Sequence, residues 1–242
     1  MNDNQVLKTY WEGPLSKMEI LSIKSFVANG HTVLVYTYDK NLKSFDSNMI
    51  VVDAAEIIPK DMRLKVKGIS TIFSDLFRYT LLYKAGGWWM DLDIVLLKPV
   101  TTESPIVASL SFINDKDFEI DLNNAPLKIP KGHVLAKACV QSAESHNLEN
   151  LTHAQIAGCL LRKEIFRLGL DKFIVPPEVY SPIGWGDSPR IVGPKFGFDR
   201  ITESTIAIHL FGNMWSHERK QDKNGIYHPD SLYEWLKRKY SV

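Results

Sequence analysis

With 242 residues the chain is long for one domain yet within the range of a single α/β domain, and 45% apolar with 24% charged residues is enough for an ordinary buried core. A net charge of +1, with no basic stripe or tail, excludes a nucleic-acid binder. No apolar run reaches membrane-spanning length, the first residues lack a signal-peptide pattern, and Cys139 and Cys159 fit free thiols in a reducing compartment, so a cytoplasmic location is expected.

Residues 6–11 read as a short strand, closed by turn residues 12–15. Ser16 followed by Glu19 is a capping box. It opens a helix to about Asn29, with Ile20, Ile23, Phe26 and Val27 on one face and Gly30 as the stop. Residues 32–38 are apolar enough for a strand buried on both faces. Strand, helix and strand over this length predict a βαβ unit and a parallel sheet. Residues 49–52 give a third strand followed by a helical turn, and the polar, basic residues 59–69 read as a loop. A helix over 71–85, with Ile72, Leu76, Tyr79 and Tyr83 at helical spacing, stops at Gly86-Gly87. Trp88, Trp89 and Met90 enter the next strand, and Asp91-Leu92-Asp93 precede the apolar residues 94–97 and Pro99. Two or three strands are expected over 104–129, then helices over about 133–145 and 152–168. Residues 173–200, rich in Pro and Gly, predict irregular structure around a cleft. A strand over 204–211 follows, then a loop with Trp215 and His217, and a helix from Pro229 to about Tyr240 closes the chain. The charge run 218–223 reads as a solvated face. Without repeats or a linker, residues 1–242 read as one domain.

The chemistry concentrates at residues 75–93. On a strand, Asp91 and Asp93 point the same way. Their apolar flanks argue for burial, and buried carboxylates need partners or a cation. Mg2+ and Mn2+ are commonly held by one or two carboxylates together with substrate phosphates. The alternative is a surface turn with two solvated acids. Asp75 and Arg78 share a helix face. They are either an ion pair worth about 0.3–0.5 kcal/mol or a polyol site, with the carboxylate accepting from sugar hydroxyls and the guanidinium donating to hydroxyl or phosphate oxygens.

The ordered set Asp75-x-x-Arg78, Gly86-Gly87 and Asp91-x-Asp93 resembles the glycosyltransferases with a DXD-containing sugar-binding region. That family includes bacterial polysaccharide enzymes and yeast mannosyltransferases, and the clostridial glucosylating toxins carry a related core. The resemblance implies a GT-A fold, an α/β Rossmann-like mixed sheet flanked by helices, with the nucleotide at the carboxyl ends of the strands. It implies a retaining transfer of a sugar from a nucleotide-sugar donor, expected to be a UDP-hexose, with Mn2+ or Mg2+ as cofactor. The expected acceptor is a saccharide or a lipid-linked precursor of surface polysaccharide, with peripheral contact at the inner face of the membrane.

Position by position, Tyr10 and Trp11 match the family's first strand, where an aromatic ring stacks on the nucleobase. A core side chain is the alternative for Trp11. Asp53 would face base or ribose, and Asp75 and Arg78 the donor sugar. Asp91 would meet ribose or metal, Asp93 the metal, and Asn124 the sugar. His209 is either the third metal ligand or a satisfied histidine on a buried strand. Trp215 and His217 would close over the diphosphate. No nucleophile is evident: His153 and Gln155 are placed near the sugar, and front-face return with the leaving phosphate as base needs none. Two other readings stand beside this one, a HAD-type phosphatase built on Asp91 and Asp93, and a non-catalytic nucleotide-sugar-binding protein.

Overall fold

The computed structural model describes residues 4–65, 70–113, 120–150, 152–218 and 221–242. Strand β1 (Val6–Tyr10) leads into helix α1 (Lys17–Ala28). The capping box forms: Ser16 Oγ accepts from Met18 N–H at 3.2 Å, and Glu19 Oε2 accepts from Ser16 N–H at 2.7 Å. Strands β2 (Thr32–Thr37) and β3 (Met49–Asp53) follow. They pair in parallel with β1 and with each other, as the βαβ pattern predicts.

Residues 60–65, expected as loop, form helix α2 (Lys60–Lys65). Its polar pattern carried no periodicity because the helix is short. Helix α3 (Ser70–Ala85) then buries Phe73, Phe77, Leu81 and Leu82. Gly86 and Gly87 stop it with φ of +63° and +82°, a region that L side chains seldom enter. A Cβ on Gly86 would stand 2.3 Å from the Lys131 backbone nitrogen, so glycine is needed there for space as well. Strand β4 (Gly87–Trp89) runs parallel to β1 on the side away from β2. The crevice at the carboxyl end of β1 is therefore the switch point of the sheet, where open α/β sheets take ligands.

Strand β5 (Ile94–Leu96) leaves this sheet. After β6 (Val107–Phe112), the two strands expected near residues 117–129 are one, β7 (Ile120–Ile129). It is antiparallel to both β4 and β6. Its register against β6 jumps from Ala108↔Leu127 to Ser109↔Asn123, so Asn124, Ala125 and Pro126 form a bulge where the sequence suggested a break. Helix α4 (Val134–Glu144) is capped by His133. The helix expected over 152–168 is broken at Ala157 into α5 (His153–Ile156) and α6 (Gly158–Arg167). Short strand β8 (Ile174–Val175) and helix α7 (Pro177–Tyr180) come next. The main sheet has the order β3-β2-β1-β4-β7-β6-β8.

Strand β9 (Ala207–His209) pairs antiparallel with β5 in a separate two-stranded sheet. Helix α8 (Gly212–Glu218) replaces the loop expected around Trp215. The closing helix α9 (Leu232–Lys239) starts at Ser231, whose Oγ accepts from Glu234 N–H at 3.2 Å, rather than at Pro229. Buried residues form two clusters that meet at α1. Ile23 and Phe26 face the main sheet, while Met18 and Leu21 pack with Trp215, Tyr233 and Leu236. Among the described residues no helix is long and apolar enough to cross a membrane.

Candidate active site

A cleft of about 260 Å³ opens at the carboxyl ends of β1 and β4, lined among others by Trp11, Asp75, Arg78, Asp91, Asp93 and Lys223. Four of these lie in the stretch singled out from sequence. Helix α3 presents Asp75 and Arg78 one turn apart, and both are buried. Arg78 Nη1 pairs with Asp75 Oδ1 at 3.1 Å, and Nη2 with Asp91 Oδ1 at 2.8 Å. The guanidinium lies 4.9 Å from the centre of the Trp89 ring. Trp89 Nε1 donates to the same Asp91 oxygen at 2.7 Å. Asn124, carried in by the bulge of β7, donates to Asp75 Oδ1 at 2.7 Å. The Asp75–Arg78 pair is thus both an ion pair and part of the cleft wall.

Asp93 sits where β5 meets β9. Register pairs Ile94 with His209, and Leu210 N–H donates to the Asp93 carbonyl at 2.7 Å. The His209 Nε2 atom stands 3.1 Å from Asp93 Oδ1, and Gly212 N–H donates to Oδ2 at 2.8 Å. Phe211 takes a φ of +49° between them, the turn that swings Gly212 back onto the carboxylate. Burial raises the Asp93 carboxyl pKa. The His209 ring, the Lys223 ammonium and the Gly212 N–H outweigh it and hold the group well below the usual carboxylate range. Asp91, Asp93 and His209 each offer a ligand atom, and these lie within 4.8 Å of one another. An ionised Asp93 carboxylate in the β4–β5 turn, with Asp91 and the His209 imidazole close by, is a donor set that suits a divalent cation.

The opposite wall holds residues that the sequence reading passed over. Lys223, assigned to a solvated charge run, turns into the cleft: its Nζ donates to Glu19 Oε1 at 2.9 Å and lies 5.8 Å from the Trp11 ring. Glu12 lines the cleft beside Trp11 and holds Arg63 of α2 at 2.8 Å. Asn213, on the first turn of α8, also lines it. A Glu directly after the stacking aromatic was a usable signal for Glu12. Nothing local marked Lys223, because its position depends on contacts some 200 residues away.

Other sequence candidates are placed differently. Tyr10 lines the cleft but is largely core, packed on Phe73 and Phe77. Burial beside Glu12 pushes its phenol pKa up, so it stays neutral. Trp11 is half-buried on the cleft, its Nε1 donating to the Gly13 carbonyl at 3.1 Å. Asp53 is exposed and caps the turn after β3, accepting from Ala55 N–H at 2.9 Å, away from the cleft lining. Trp215 is fully buried in the second core cluster, with Nε1 donating to the Leu210 carbonyl at 3.0 Å, so its ring packs under the site rather than over it. Gln155 is tied up as a cap: its Oε1 accepts from Thr152 N–H at 2.9 Å, and Ala157 takes its place in the cleft wall. The side chains of His153 and His217 lie outside the described residues.

Residues 21–113, which include all four of the clustered acids and arginine, match the family described as a glycosyltransferase sugar-binding region containing a DXD motif. Among solved structures, the apo-form glycosyltransferase GlyE of Streptococcus pneumoniae TIGR4 has a TM-score of 0.54 at 10% identity, over 98% of this chain and 60% of that one. A PaToxG glycosyltransferase has a TM-score of 0.46 at 13% identity, over 98% and 85% of the two chains. No curated protein matches the sequence. The fold is of the GT-A type. Residues 21–113 thus match the DXD-containing sugar-binding region of the glycosyltransferases, which supports a transferase.

Proposed function

We propose that the chain is a single GT-A domain catalysing metal-dependent, retaining transfer of a hexose from a nucleotide-sugar donor, UDP-linked, to a saccharide or lipid-linked acceptor of surface polysaccharide. The observation that carries this reading is the network centred on Arg78. It joins Asp75 and Asn124 to Asp91, the first acid of the DXD motif, in one cleft. Asp91 and Asp93 would hold Mn2+ or Mg2+, which when bound supplies a Lewis acid for the leaving diphosphate. Trp11 offers the face on which a nucleobase stacks. Asp75 and Asn124 would supply acceptors and donors to sugar hydroxyls, with Arg78 paired to Asp75. Lys223 brings a cation, paired with Glu19, to the far side of the cleft, suited to the negative charge that grows on a departing diphosphate. Retention follows the family resemblance, with the leaving phosphate as base.

Incubation with Mn2+ and a panel of nucleotide sugars should release nucleoside diphosphate from one donor, with UDP-hexoses first. Asp93→Asn should abolish that release and Mn2+-dependent donor binding while leaving the thermal midpoint nearly unchanged. Turnover of simple phosphate esters alone, or donor binding with no release under any acceptor condition, would refute the proposal.

A further inference from the structure

The two faces of helix α9 carry different chemistry. Leu232, Tyr233, Leu236 and Tyr240 are buried in the second core cluster. Trp235, Arg238 and Lys239 share the other side, at i, i+3 and i+4. Residues 194–200 run along the helix and are fixed to it. Pro194 bridges to Ser231, and Lys195 N–H donates to the Asp230 carbonyl at 3.0 Å. Gly197, with φ of +87°, packs on Ile183 and Leu232, where a Cβ would stand 2.6 Å from Ile183 Cδ1. Phe198, 36% exposed, then meets Trp235 edge-on with ring centres 5.9 Å apart. Lys239 Nζ lies 5.6 Å from the same Trp235 ring. An aromatic pair thus lies between exposed cations. Lys195 stands at the start of the helix and Arg238 and Lys239 at its end, a span of about 12 Å for eight residues. Of the acids nearby, Asp199 lies 3.5 Å from Arg200 and Glu234 lies 2.6 Å from Lys237, which leaves the exposed Asp230 against three cations.

We propose that this face docks on an anionic lipid surface, with Phe198 and Trp235 at the interface and Lys195, Arg238 and Lys239 on the headgroups. Aromatic rings flanked by Lys and Arg suit the boundary between headgroup and acyl chain, where the ring is half desolvated and the cation stays wet. Two half-exposed rings fall far short of the roughly 800 Å² that each side of a stable protein interface buries. A bilayer demands no matched surface, and each Lys or Arg near an anionic leaflet adds about fivefold to binding. The inference uses neither the donor nor the cation of the cleft, so it can fail while the proposed function holds, and the reverse.

The test sediments the full chain with phosphatidylcholine vesicles, with and without one third phosphatidylglycerol. Binding is expected to the anionic vesicles alone and should be lost at about 1 M salt. Arg238→Glu together with Lys239→Glu should weaken it by about 30-fold or more, and Phe198→Ser by about fivefold. Ile226→Ser is the control. Ile226 is 85% exposed, but its neighbour Gly225 accepts from Lys237 on the opposite flank of α9, so binding should not change. All four positions are exposed, and the variants should keep the wild-type thermal midpoint. Equal binding to vesicles without phosphatidylglycerol overturns the inference, as does wild-type binding by the double charge reversal. Loss of binding in Ile226→Ser with the other variants intact places the contact elsewhere and refutes it too. If soluble polyglutamate competes for the chain as strongly as the vesicles hold it, the partner is an acidic polymer and the membrane assignment is wrong.

Discussion

At the scale of single residues, the cleft divides into a part written in adjacent sequence and a part that folding delivers. Asp75, Arg78, Asp91 and Asp93 fall within one helix–turn–strand unit, and 13 positions separate the Arg78–Asp91 partners. Helix period places Asp75 and Arg78, but Asp91 and Asp93, expected on a strand, lie in the turn between β4 and β5; closeness in sequence, not strand period, made the set legible. Lys223 was not. Its Nζ would lie 2.9 Å from a Cβ on Gly212, so the lysine packs closely over a position that has no side chain. Its partner Glu19 is buried at the start of α1, where the same carboxylate completes the capping box. Lys223→Met keeps the apolar stem and removes the charge. We expect donor turnover to fall by about 10²-fold if the ammonium meets the leaving diphosphate. Stability should fall by only about 1–3 kcal/mol, because Glu19 keeps the Ser16 N–H. Nucleoside diphosphate release and urea unfolding on the same variant separate the two effects. Unchanged turnover would assign Lys223 to structure alone.

Among the elements, β7 shows where pattern reading fails. Asn123 and Asn124 look like a break between two strands, because Asn favours turns. Tertiary pairing keeps the strand whole: Leu127 still opposes Trp89 on β4, and Leu122 still opposes Leu110 on β6. The residues that suggested a break are absorbed as a bulge, and the bulge is what aims Asn123 and Asn124 at the site. Helix α6 packs on the same strand through Gly158, where a Cβ would lie 2.2 Å from the Leu122 carbonyl oxygen. No local signal marks that glycine, since in a helix it is merely unfavourable. Gly158→Ala must push α6 away from β7 one residue before Asn123. The expected cost is about 1–3 kcal/mol of stability, as for overpacking elsewhere in cores, despite the better helix propensity of alanine. Chemical denaturation reads it directly, and a stabilised variant would show that the contact yields without strain.

On the scale of the whole molecule, the amino-terminal segment, the α1–β2 turn and the exit from β5 are tied together by one buried imidazole. His31 Nδ1 lies 2.9 Å from the Asn4 carbonyl, which can only accept, and Nε2 lies 3.1 Å from the Val100 N–H, which can only donate. Nδ1 therefore carries the hydrogen and Nε2 its lone pair, so protonating the ring would cost the Val100 bond. Burial lowers the His31 pKa, with the hydrogen bond to Asn4 opposing it more weakly. The unfolded chain, with an ordinary histidine near 6.5, then takes up a proton at a pH where the folded one does not. The stability this group contributes is present above about pH 6.5 and is lost as pH falls toward the folded value. Its slope cannot exceed about 1.4 kcal/mol per pH unit, the value for one proton. Urea midpoints at pH 7.5 and 5.5 should therefore converge more between wild type and His31→Gln at the lower pH, where the imidazole's advantage has gone and the amide still spans Asn4 and Val100. Asp93 is held below the usual carboxylate range, so its own titration lies outside this window. A wild-type advantage that stayed constant from pH 7.5 to 5.5 would mean that the ring takes up its proton at the same pH folded and unfolded, and the Val100 contact would have to be reassigned.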